Sequence, residues 1–322
     1  MKKPILLLVL LLLVACAAPP ASSAPTPTTV LSPLVEAPTP TPTIAPSPQP
    51  TDSPLPPTPS AVPSARIAVI GDYGTGDANA AAVAGLVLAW EPDFIVTTGD
   101  NNYPSGAADT IDAVIGQFYH AYIGGYSGTY GEGSEVNRFF PVLGNHDWDG
   151  ERAQPYFDYF NLPGNERYYD FIHGPVHFFL LDSDTREPDG VGLSSRQAEW
   201  LQAGLTTSRA PWQVVVMHHP PYSSARHGST EALQWPYAEW GADLVLAGHD
   251  HTYERLEVDG LTYVVNGLGG QARYYFIVPL AESVVRYRAA HGALFITATV
   301  DGLTAEFLTV TGEVVDTFSL GD

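Results

Sequence analysis

The chain has 322 residues, 45% of them hydrophobic, with 35 acidic residues against 14 lysines and arginines. A formal charge of −21 disfavours nucleic acid and anionic lipid as general partners. A single cysteine excludes an intramolecular disulfide and a thiolate metal cage.

The chain opens MKKPILLLVLLLLVAC, where Lys2 and Lys3 precede an apolar stretch, Ile5–Ala15, too short to span a bilayer. Leu13-Val14-Ala15-Cys16 resembles a bacterial lipobox, in which the cysteine becomes the lipidated first residue of the mature protein; an ordinary secretory signal with a chance cysteine is the alternative. Residues 1–16 are therefore expected to be a lipoprotein signal peptide. The expectation is an exported, membrane-anchored protein at the surface of a bacterium, with lipid on Cys16. Residues 17–64 hold 16 prolines among many Ser, Thr and Ala, and only Glu36 and Asp52 are charged. So little apolar surface cannot offset the entropy of ordering, so an extended, disordered tether is expected. At ~3.1 Å per residue it could reach about 150 Å.

Setting aside Lys2, Lys3, Glu36 and Asp52, residues 65–322 contain 12 arginines, no lysine and 33 carboxylates. Any phosphate-binding function then needs another source of positive charge, and bound metal ions are the natural one. Arg66–Gly71 reads as a buried strand opening into a glycine-rich turn, and Asp77–Trp90 as a helix. Phe94–Gly99, Phe139–Gly144 and Val176–Asp182 read as further strands, followed by a helix over Ser194–Leu205 with Trp200 and Leu201 inward. Trp212–His218 and Asp243–Gly248 are two more apolar strands. From about Leu261 strand-like segments alternate with turns at Asp259-Gly260, Asp301-Gly302 and Thr311-Gly312. Strands and helices alternate to about residue 250 and a β-rich end follows, which implies an α/β domain with mixed sheets.

Five of these strands end in polar residues: Gly71-Asp72, Gly99-Asp100, Gly144-Asn145-His146, His218-His219 and Gly248-His249-Asp250-His251. Ligand sites in open α/β sheets form beyond the carboxyl ends of strands, so these distant segments could meet at one rim. Each piece has a plainer reading. Asp72 could cap a helix, Gly99-Asp100-Asn101-Asn102-Tyr103 could be an ordinary turn, and a lone His218 could be structural. Gly71, Gly74 and Gly76 do not make a phosphate loop, because no Gly-Lys-Ser/Thr follows and residues 65–322 have no lysine. His249 and His251 lie on the same side of an extended segment, a pincer suited to metal.

The series GD, GDNNY, GNHD, H and GHDH resembles the calcineurin-like metallophosphoesterases, specifically the purple acid phosphatase branch and its tartrate-resistant type. It covers most of residues 66–322. Most of the wider family carries Asp-x-His at the first motif; here Gly74 takes the histidine's place, and Tyr103 stands three residues beyond the second aspartate, as in the purple acid phosphatases. The resemblance implies a four-layer αββα sandwich with two mixed β-sheets in a single catalytic domain over residues 65–322. It implies one metal held by Asp72, Tyr103 and His251, a second held by Asn145, His218 and His249, and Asp100 bridging them. Phenolate and carboxylates suit Fe(III); two imidazoles and an amide suit Fe(II), Zn(II) or Mn(II). Tyr103 as a core or substrate-stacking residue is the other reading.

The implied reaction is hydrolysis of phosphate monoesters by a metal-activated hydroxide attacking in line, without a phosphoenzyme. His146 matches the family's phosphate-contacting histidine. His227, nine residues after His218, matches a second, or else is a solvent-exposed loop residue. His219 is expected just outside the metal ligands, and His120, His173, His177 and His291 to be structural. Tyr119–Tyr130 could wall the cleft or pack as a surface loop. The expected partner is a small phosphate ester. A phosphodiesterase or nucleotidase using the same site, or a surface lipoprotein that binds without catalysis, are the alternatives. No oligomeric state is read from the residues.

Overall fold

A computed structural model describes residues 64–321; the expected signal peptide and nearly all of the expected tether lie outside the described residues. Its thirteen strands form two sheets. The first runs β13 (Val314–Leu320), β12 (Leu303–Thr309), β11 (Gly292–Thr299), β1 (Ser64–Ile70), β2 (Phe94–Thr97) and β3 (Phe139–Phe140). The second runs β10 (Ser283–Tyr287), β8 (Tyr253–Val258), β9 (Leu261–Asn266), β7 (Leu244–Ala247), β6 (Trp212–Val216), β5 (Val176–Leu180) and β4 (Tyr169–His173). Both sheets are mixed: β1, β2 and β3 pair in parallel, as do β5, β6, β7 and β9, with antiparallel strands at the flanks.

Alternation along the strands sets the layers. Phe178, Leu180, Val214, Val216, Leu244 and Leu246 point into one core, shared with Ile67, Val69, Phe94 and Val96 of the first sheet. Their neighbours Phe179, Val215 and Val245 face a second core, under the helix Arg196–Thr207 with its buried Ala198, Leu201 and Leu205. Strands buried on both faces read as continuous apolar runs, which is how β6 and β7 read. The helix Ala78–Trp90 starts at Asp77, whose carboxylate accepts from Asn79 N and Ala80 N, and buries Val83, Ala84 and Val87 against the first sheet. The αββα order follows.

Most expected elements fall within two residues of those observed, including all three turns. Trp200 is half-buried against Tyr168 and Phe179, whereas Leu201 is fully inward. One strand is much shorter than expected. β3 pairs only through Phe139 and Phe140, because Pro141 has no N–H for a ladder, and its carbonyl instead accepts from Tyr156 and Tyr169. β4 was not anticipated; its Phe171 stacks on Phe140 with ring centres 3.8 Å apart.

A buried polar knot fixes the strand ends. The Asp147 carboxylate accepts from Gly144 N (2.8 Å), Asn101 N (3.1 Å) and Asn101 Nδ2 (2.8 Å). Asn101 Oδ1 accepts in turn from Thr97 and Tyr73. The turns after β1, β2 and β3 are thus locked together. Asp147→Ala leaves buried donors without partners and should cost at least about 2 kcal/mol. A lower urea midpoint at unchanged slope would show it; an unmoved midpoint would mean that those donors find other acceptors.

Candidate metal centre

Each of the five polar strand ends comes to one rim. Asp72 follows β1, Asp100 follows β2 and Asn145 follows β3 in the first sheet; His218 follows β6, and His249 and His251 follow β7 in the second. Asp72 (φ 54°), Asp100 (φ 54°) and His249 (φ 69°) all adopt the left-handed backbone, an uncommon state for non-glycine residues that concentrates at functional sites. Between Thr98 and Asp100 the chain also needs a glycine. Gly99 has φ +91°, and a Cβ there would lie 2.7 Å from His218 Nδ1.

The donor atoms sort into two groups. In the first, Tyr103 OH lies 2.8 Å from Asp100 Oδ2, 3.2 Å from Asp72 Oδ1 and 3.3 Å from His251 Nε2. His251 Nε2 is itself 3.3 Å from Asp72 Oδ1. In the second, His218 Nε2 lies 3.1 Å from Asn145 Oδ1, 3.2 Å from His249 Nδ1 and 3.4 Å from Asp100 Oδ1. Asp100 turns one oxygen to each group.

Ring orientation is fixed from behind. His218 donates Nδ1–H to Thr98 O at 2.8 Å and His251 donates Nδ1–H to Ala272 O at 2.7 Å. Both Nε2 atoms are thereby aimed at the donor groups, the arrangement that metal-ligating histidines use. His146 likewise meets Pro104 O through Nδ1 and turns Nε2 inward, 4.0 Å from Asp100 Oδ2.

The donor chemistry fits cations. Ligands ~2.0–2.2 Å from a shared ion sit roughly 3 Å from one another, and these two groups do. Asp72 and Asp100 are buried, and among the described residues their only ion-pair partners are imidazoles. Burial opposes charge on His218, but the Asp100 carboxylate, joined by Asp72 and the Thr98 carbonyl, outweighs it and pushes that imidazole up to about 10. His218 in turn holds Asp100 well below the usual carboxylate range against its own burial. Burial, then the Asp72 and Asp100 carboxylates, push the Tyr103 phenol far above its ordinary value. The phenol therefore stays neutral unless a cation arrives to take the place of its proton. Burial and then His218 push His249 down, leaving it an unprotonated donor.

All seven expected ligands and both expected non-ligand histidines converge. The His227 ring lies 4.2 Å from that of His249, brought there because Asp250 accepts from His227 N (2.9 Å) and Ser223 Oγ (2.6 Å). His219 sits closer than expected: His218, His219 and His249 offer ligand atoms within 4.8 Å of one another, although His219 Nδ1 is also bound to Ser183 Oγ. His120, His173, His177 and His291 contact Glu132 O, Phe94, Asp170 with Ser208, and Gln271 O, outside the donor groups. Tyr119 and Tyr122 are buried in the core, whereas Tyr130 at the far end of that stretch is 45% exposed. Sequence reasoning missed Tyr274, whose ring stacks on His251 at 3.9 Å under the Arg226 guanidinium. No motif marks it.

The calcineurin-like phosphoesterase pattern matches residues 65–253. The chain belongs to this family. It is a metal-dependent phosphoric ester hydrolase by that membership and by its relatives. It is 28% identical over 246 residues to human tartrate-resistant acid phosphatase type 5, covering 65% of this chain and 74% of that one. It is 28% identical over 242 residues to purple acid phosphatase 17 of Arabidopsis thaliana, covering 65% and 69%. In fold it is similar to a purple acid phosphatase from yellow lupin seeds, with a TM-score of 0.64 and 20% identity over 82% of this chain. The chain spans 55% of that lupin protein's length.

The two donor groups of this phosphoesterase make distinct expectations for metal content. Asp100→Ala should deplete both ions, whereas His251→Ala should deplete one and leave the other largely in place. Elemental analysis of the purified variants reads this; equal loss in both would mean that the groups do not act as two sites.

Proposed function

We propose that this phosphoesterase hydrolyses phosphate monoesters at a dinuclear centre. Asp72, Tyr103 and His251 would hold one ion and Asn145, His218 and His249 the other, with Asp100 offering one oxygen to each group. The shared use of Asp100 by two complete donor groups carries the reading. The phenol with two carboxylates favours Fe(III), and the imidazole-amide set favours Fe(II), Zn(II) or Mn(II). When bound, such a pair polarises phosphoryl oxygens and supplies a strong nucleophile at modest pH.

The chain's own residues do the rest. His146 and His227 stand beside the donor groups without belonging to them. The His146 side chain is 34% exposed, and its Nε2 faces the rim, free to hydrogen-bond a phosphoryl oxygen or hold the proton that a leaving alkoxide needs. The Tyr103 ring, 4.5 Å from that of His146, limits its swing. His227 approaches from the second sheet's side, so an ester between them would be held from two directions.

His146→Ala should lower turnover of a nitrophenyl phosphomonoester by about 10²–10⁴ while metal content stays near normal. Metal loss in that variant would make His146 a ligand instead. The parent protein should prefer the monoester to the corresponding diester at acidic pH. Diester preference would favour the phosphodiesterase or nucleotidase reading, and no turnover of either with both metals present would favour a binding role.

The proposal includes export and a lipid anchor on Cys16, supported by the Lys2-Lys3 start and the Leu13–Cys16 lipobox pattern. Cys16→Ser should move the exported chain from the membrane fraction to the soluble one. Retention in the membrane would remove the lipid from the account.

A further inference from the structure

The loop between β9 and β10 carries an uninterrupted apolar run, Tyr274–Leu280 (YYFIVPL), that the catalytic site does not absorb beyond Tyr274. A run of that kind is ordinarily buried. Here Tyr275, Ile277 and Val278 are 64%, 62% and 66% exposed, the densest group of large exposed apolar side chains among the described residues.

The exposure is built in. Ile277 N and Val278 N both donate to Ser224 O (2.8 and 3.2 Å), and Leu280 N donates to Ser224 Oγ (2.9 Å). With its backbone satisfied at the base, the loop holds its side chains outward.

Beside this tip lie two adjoining hollows of about 520 and 460 Å³, sharing Arg273 and Arg288, with Arg286 lining the smaller. None of these three arginines is ion-paired among the described residues, in a chain of net charge −21. Arg288 lies 3.9 Å over the Tyr275 ring, and Arg273 is held by Ala289 O, so both guanidinium groups are fixed next to the apolar tip. Glu313 accepts from Tyr287 OH, Glu254 stands opposite Arg286 across β8 and β10, and Asp77 lies near His291 of the larger hollow. Charges more than ~8–10 Å away are screened at physiological salt, so the local arginines govern contact.

We propose that this loop docks onto an anionic lipid bilayer, with Tyr275, Ile277 and Val278 entering the interface and Arg273, Arg286 and Arg288 meeting lipid phosphates. An exposed apolar loop flanked on its Tyr275 side by arginines suits a deformable interface better than a concave protein partner. Because Tyr274 stacks on His251, docking would also bring the metal centre's rim to the membrane surface. The inference does not depend on catalysis.

The test uses the full chain carrying Cys16→Ser and Val278→Cys, so that an environment-sensitive dye on residue 278 is the sole label and no acyl chain is present. Vesicles of phosphatidylcholine containing phosphatidylglycerol should shift the dye emission to the blue, and vesicles of phosphatidylcholine alone should do so far less. Each arginine removed should weaken anionic-vesicle binding about fivefold, and Arg273→Gln, Arg286→Gln and Arg288→Gln together by roughly a hundredfold. In an otherwise unaltered Cys16→Ser chain, Ile277→Ser with Val278→Ser should abolish vesicle binding while turnover of a soluble monoester stays within about twofold, which shows that the fold survives. An unshifted dye on both vesicles would overturn the proposal. So would a shift produced by protein concentration alone, which would make a second copy the occupant. Displacement from vesicles by inorganic phosphate at constant ionic strength would assign the hollows to a soluble anion instead.

Discussion

Two carboxylates buried at the ends of neighbouring parallel strands, Asp72 and Asp100, are the constraint that the rest of the molecule answers. Taking a carboxylate out of water is tolerable only with opposite charge and satisfied hydrogen bonds. No arginine supplies that charge; His218 and His251 do, from the other sheet. The amides do their share, since His146 N donates to Asp100 Oδ1 and His249 N to Asp72 Oδ2, both at 3.0 Å. A pair of acids so placed is an electrostatic demand for cations, and it resolves how a chain of net charge −21 can receive a phosphate ester at all.

The demand falls on the seam between the sheets. Asp72, Asp100 and Asn145 come from one sheet and His218, His249 and His251 from the other, so donor spacing is set by how the sheets pack. That seam is pinned close to the site. His218 Nδ1 donates to Thr98 O, Asn266 Nδ2 donates to Val69 O at 2.8 Å, and Gly269 N donates to Gly71 O at 2.9 Å. Between these bonds the shared apolar core fills the space, and close-packed interiors do not deform continuously. A shift of one sheet relative to the other would therefore separate donor groups rather than adjust them.

The sheets and the polar strand ends were legible because β1, β2, β6 and β7 are largely apolar and then turn polar, whereas the allotment of donors, Tyr103 included, came from the family resemblance. Such a break marks a strand end pointing into a site, whatever the intervening sequence. The parts that were not legible lack that contrast. β3 stops at Phe140 because Pro141 follows, although its apolar pattern runs on to Leu143. β4 alternates exposed and buried residues over only five positions, too few to separate from a loop. Tyr274 belongs to the site through ring contacts with His251 and His227 and through its N, which donates to His251 O, and its neighbours Tyr275 and Phe276 look the same in sequence.

Gly74 shows how one substitution in a motif can be read physically. Its N lies 3.4 Å from Asp100 O and its carbonyl accepts from Tyr103 N at 2.9 Å, so the turn after β1 runs against the turn after β2. A Cβ on Gly74 would stand 2.5 Å from Asn102 N and still nearer the Asn101 carbonyl. A histidine at residue 74 would force these two turns apart. With glycine there they close, and the closure leaves the Tyr103 hydroxyl between Asp72 and Asp100. The side chain absent from the first turn thus leaves the Tyr103 hydroxyl within hydrogen-bond reach of both carboxylates.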